Sequence, residues 1–75
     1  MRGRLPSLTA REIIRALERF GFEQHHQTGS HVILRSRAHR RKAVVPLHRG
    51  TLKRNTLFAI IRQAGISVEE LLEVL

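Results

Sequence analysis

Cysteine, tryptophan, tyrosine and aspartate are all absent from this chain of 75 residues, and each absence removes a class of explanation. Without cysteine there is no disulfide framework, no thiolate nucleophile and no cysteine zinc site, so apolar burial alone must hold the fold. Without aspartate the acidity rests on six glutamates, placed on helix surfaces, at Glu23 and near the C-terminus; a two-metal nuclease, which needs clustered carboxylates, is not expected. Nor is there a Gly-rich phosphate loop or a Ser-His-Asp set. The longest apolar run, Leu57 to Ile61, falls far short of the roughly 20 residues that cross a bilayer. The basic start Met1-Arg2-Gly3-Arg4 is not followed by the apolar stretch of a signal peptide. A cytoplasmic protein with no membrane association is expected, and no cofactor or metal.

What the chain does have is positive charge. Fourteen Lys and Arg give a formal net charge of +8. Between Arg35 and Arg54 stand Arg35, Arg37, Arg40, Arg41, Lys42, Arg49, Lys53 and Arg54 with no acid among them, whereas Gly65 to Leu75 holds Glu69, Glu70, Glu73 and no base. Uncompensated cations predict a polyanion partner, because each Lys or Arg that neutralises a phosphate releases condensed counterions. Base stacking on single strands wants exposed aromatics; of the three phenylalanines only Phe58 falls off an apolar face. Recognition of backbone and shape is expected over base reading.

Periodicity supplies the architecture. Thr9 and Glu12 have capping-box spacing, Leu8 is placed to staple onto Ile13, and Ile13, Ile14, Leu17 and Phe20 share one helical face. Gly21 supplies a left-handed stop. From Phe22 to Leu47 the period becomes two, predicting antiparallel strands over 22–27, 31–35 and 42–45. Thr28-Gly29-Ser30 reads as a tight turn with a glycine free to take positive φ, Ser36 to Arg41 as a longer basic connection, and Pro46 as a strand end or edge marker. A second helix carries Leu57, Ile60, Ile61 and Ala64, capped by Asn55 or Thr51 and stopped at Gly65; Ser67 and Glu70 repeat the capping box before a short third helix. Both main helices on one sheet face give a layered α+β domain over residues 8–75, with 1–7 as a poorly anchored, disordered extension. About 60% burial on folding is the scale for so small a domain.

Five histidines are the remaining chemistry. His25 and His26 are adjacent on a strand, point to opposite faces under strict alternation, and cannot share a metal. His39 lies in the arginine-rich turn and His48 in the loop after Pro46. His31 opens the second strand directly after Gly29-Ser30, where the strand fixes its direction and the turn leaves it open. With Val32 and Leu34 inward, His31, Ile33 and Arg35 share the outer face, and an arginine there can hold a phosphate. An imidazole titrating near neutrality can take a proton from a ribose 2′-hydroxyl or give one to a leaving 5′-oxygen.

Gly21-Phe22, Gly29-Ser30-His31, the segment Val45-Pro46-Leu47-His48-Arg49-Gly50, and Leu57 followed by Ile60-Ile61-Arg62-Gln63-Ala64-Gly65-Ile66-Ser67 together resemble the HicA family of bacterial toxins over about Thr9 to Leu72. Their order and spacing carry the resemblance, since each motif is short. It implies a double-stranded-RNA-binding-domain-like α-β-β-β-α fold, metal-independent cleavage of mRNA, and neutralisation by a HicB-like antitoxin. It also implies that His31, the histidine of the Gly-Ser-His turn, is catalytic, as the residues themselves suggest. Candidate RNA contacts are Gly29, Ser30, Arg35, Arg37, Lys42, His48, Arg49, Lys53 and Arg54. Arg2, Arg4 and the turn from Arg37 to Lys42 are more basic than the family pattern requires. The alternative is a non-catalytic RNA-binding module of the same fold.

Overall fold

The structure, a computed structural model, describes residues 4–75. In chain order the elements are α1 (Ala10–Arg19), β1 (Glu23–Gln27), β2 (His31–Ser36), β3 (Arg41–Pro46), α2 (Arg54–Ala64) and α3 (Val68–Val74). Thr9 starts α1 as its spacing predicts: Glu12 N–H donates to Thr9 Oγ1 at 3.2 Å, and Thr9 N–H donates to Glu12 Oε1 at 2.9 Å. Leu8 and Ile13 are both buried, as a staple requires. Ser67 and Glu70 form the same reciprocal pair ahead of α3. Gly21 at φ +90° turns the chain out of α1, and Gly65 at φ +73° ends α2.

The sheet is antiparallel with β2 at its centre. Val32, Leu34 and Ser36 point inward and are buried; His31 and Arg35 are exposed on the outer face, with Ile33 half-buried between them. Across β2, Ile33 pairs with Val44, Arg35 with Lys42, and His31 with Pro46. The inner face joins α1, α2 and α3 in one core, whose most enclosed side chains are Ile13, Leu17, Leu34, Val45, Leu57, Ile60 and Leu71. Burying each contributes about 1.5–3 kcal/mol. Gln63 on α2 extends that packing to the sheet margin, where its Oε1 accepts the Val44 N–H at 2.9 Å. The β3 edge is thereby tied to a helix.

Four details differ from the sequence expectation. β1 carries a bulge between Gln24 and His26, so His25 has no partner on β2 and the alternation that would send His25 and His26 to opposite faces is interrupted. Among the described residues positive φ occurs at Gly21, Gly50, Gly65 and Arg40, and not at Gly29. The N-cap of α2 is Lys53, which makes no side-chain capping bond, while Asn55 Oδ1 accepts from Thr56 N–H at 3.0 Å inside the first turn. Thr51 is occupied elsewhere, bridging to Thr9. Of the expected extension, residues 1–3 lie outside the described residues, and Leu5 is buried in the core. Among the described residues no helix is long and apolar enough to cross a membrane.

Candidate functional site

Thr28, not Gly29, organises the turn that presents His31. Its N–H donates to the His31 carbonyl at 2.9 Å, its Oγ1 accepts from His31 N–H at 3.0 Å and Ser30 N–H at 3.3 Å, and its hydroxyl hydrogen points to the His31 carbonyl at 3.4 Å. One hydroxyl thus uses its donor and both acceptor positions within a single turn. A Cβ on Gly29 would meet nothing, so this position leaves room in front of the turn. Ser30 Oγ lies 2.9 Å from His31 Nδ1. The imidazole is held at Nδ1, which leaves Nε2 as its open nitrogen.

A second segment is locked against this turn. Leu47 N–H donates to the Ser30 carbonyl at 2.7 Å, directly after the His31–Pro46 pair, so the Gly-Ser-His turn and the Pro46–Gly50 segment form one rim. His48 is exposed, and its Nε2 is 3.2 Å from the Thr51 carbonyl. A carbonyl only accepts, so Nε2 carries a hydrogen, and Nδ1 is the ring nitrogen left open. Gly50 turns the loop at φ +75°, and Leu52 N–H bonds the Leu8 carbonyl at 2.8 Å, anchoring the loop to the start of α1. Arg49 is exposed on the rim. Beyond it, Lys53 and Arg54 stand at the N-terminus of α2, where no acid occupies the first turn. Cations at the positive end of a helix dipole oppose its field. Arg54 also lies over the Phe58 ring, 5.6 Å from its centroid.

The remaining expected contacts gather elsewhere. Arg35, Arg37 and Lys42 line a cleft of about 500 Å³ with Arg40, Arg41 and one carboxylate, Glu23. This cleft sits at the β2–β3 hairpin, the opposite end of the sheet from His31; Arg35 is four residues along β2, about 13 Å away at strand rise. The structure therefore brings Gly29, Ser30, His31, His48 and Arg49 together and sets Arg35, Arg37 and Lys42 apart as a separate basic site. Thr28 and Arg40 were not singled out from sequence as site residues. A threonine two residues before the serine is a side-chain turn signal that would have found Thr28; for Arg40 only the observed backbone conformation gives the cue.

Among the described residues no group of three or more His or Glu is placed to hold a metal ion. In comparison with known proteins, the family model for the HicA toxin of bacterial toxin–antitoxin systems matches residues 10–66. That span runs from the first residue of α1 to just beyond α2 and includes both segments of the rim. No relative is found among the curated proteins.

Proposed function

Because the chain belongs to the HicA toxin family of bacterial toxin–antitoxin systems, we propose that it is a metal-independent endoribonuclease that cuts mRNA through His31. The observation that carries this reading is the exposed His31 ring, held at Nδ1 by Ser30 Oγ at 2.9 Å on a turn braced by Thr28 and Leu47. One sense of that hydrogen bond serves both halves of acid–base chemistry. With Nδ1–H donating to Ser30 Oγ, Nε2 has a lone pair and is a base; once Nε2 has taken a proton the ring is an imidazolium, still donating to Ser30 from Nδ1, and Nε2–H is an acid.

In the forward step His31 Nε2 takes the proton of a ribose 2′-hydroxyl as its oxygen bonds to the adjacent phosphorus. The bond from phosphorus to the 5′-oxygen breaks, and a proton passes to that oxygen from His48, a lysine or water. The products are a 2′,3′-cyclic phosphate and a 5′-hydroxyl. Arg49 and Lys53 stabilise the charge that develops on the phosphate, and the loop around Gly29 leaves the backbone of the turn open to it. A HicB-like antitoxin covering the basic surface would block RNA entry; a pull-down at physiological salt that recovers no such partner would count against that part.

Purified wild-type protein should cleave a long single-stranded RNA in EDTA and leave cyclic phosphate ends. His31→Ala should cleave about 10²–10⁴-fold more slowly with an unchanged circular dichroism spectrum. Product ends bearing a 5′-phosphate would sink the mechanism. Binding without cleavage by folded wild type would make the chain an RNA-binding module.

A further inference from the structure

The cleft at the β2–β3 hairpin has no place in the reaction at His31, yet it concentrates Arg35, Arg37, Arg40, Arg41 and Lys42 against one carboxylate, Glu23. All five cations are exposed. Arg41 is partly committed to the fold, because its guanidinium fills the space where a side chain on Gly65 would stand. Arg40 is the informative one: it holds φ at +54° in the hairpin loop, a left-handed conformation that glycine adopts freely and a β-carbon disfavours. The loop closes with Arg40 N–H on the Arg37 carbonyl at 3.3 Å, a bond that glycine could make equally well. Here the sequence carries a cation at a position where stability alone selects glycine, a departure of the kind that marks function.

We propose that this cleft is a remote phosphate site that grips the RNA backbone beyond the scissile bond, making cleavage depend on substrate length. The proposal rests on the reading of His31 as the cleavage centre. Continuity favours RNA over an acidic protein: His31, Ile33 and Arg35 lie along one outer face of β2, with Arg35 beside Lys42 and Ile33 beside Val44. A strand laid along β2 crosses a half-buried apolar pair between the catalytic rim and the cleft. Nothing acidic interrupts that path until Glu23.

The test compares wild type, Arg40→Gly and Arg37→Gln for binding to 2′-O-methyl RNA, which has no hydroxyl to attack. One probe is a trinucleotide and the other is about a dozen nucleotides long. Arg40→Gly should raise Tm by several degrees while binding the long probe about tenfold more weakly, with a salt slope shallower by about 0.7. Arg37→Gln should show the same loss without the gain in Tm, and the trinucleotide should bind all three alike. Wild-type affinity for the long probe in both variants, or equal losses on both probes, overturns the proposal. If RNA affinity is unchanged while both variants lose a co-expressed antitoxin, the cleft belongs to that protein and the proposal falls. Cleavage of unmodified RNA is measured separately: a wild type that cuts nothing removes the His31 reading, and the binding comparison still decides the cleft.

Discussion

A single hydroxyl does much of the work of aiming His31. Thr28 Oγ1 holds the backbone of Ser30 and His31, and Ser30 then holds the ring. Replacing Thr28 by valine keeps the shape of the side chain and removes that centre. We expect a loss of about 1–2 kcal/mol, seen as a lower thermal midpoint, and a fall in RNA cleavage that Thr28→Ser restores. Cleavage unaffected by Thr28→Val would mean that strand pairing with Pro46 and the bond from Leu47 suffice to place the imidazole. At Gly65 it is the positive φ that disfavours a β-carbon, since the Arg41 side chain lying over it ends in a flexible guanidinium that can shift.

At the level of elements, the two capping boxes, the glycine stops and the inward alternation of Val32 and Leu34 were legible because each is a local pattern with a local cause. Register in β1 was not. Its residues Glu23 to Gln27 are all exposed, so no apolar side chain pins the pairing and a bulge at His25 leaves no trace in the pattern. The cap of α2 was missed for a different reason. Thr51 is drawn into the bridge with Thr9, and burial of Leu52 and Leu57 sets where the helix can begin, leaving Lys53 at the cap. The exposed position of His31 at the head of β2 was legible from its Gly-Ser-His turn and the strand alternation, but the division of the cations between two ends of the sheet was not, because Arg35 to Arg54 read as one acid-free run that the β2–β3 hairpin folds apart. Lys53→Asp should cap α2 and relieve the adverse dipole, raising stability by about 1 kcal/mol in denaturant unfolding. RNA affinity should fall in the same variant.

For the molecule as a whole, a net charge of +8 is carried by a domain whose core spans only one side of a three-stranded sheet. Stability on the order of 0.05–0.15 kcal/mol per residue is the scale for such a fold, so the cations at Lys53 and Arg40 take a measurable share of it. The two sheet margins are treated differently. One is fastened to α2 by Gln63 at Val44; the other, β1, lies fully exposed and is broken by the bulge at His25. An uninterrupted exposed margin is a template on which a second copy of the chain can add its own strand, and copies can continue to add without limit. Deleting His25 should straighten β1 and make the chain self-associate more strongly with concentration than wild type, detectable by light scattering. The irregularity in β1 is a guard against that open-ended growth.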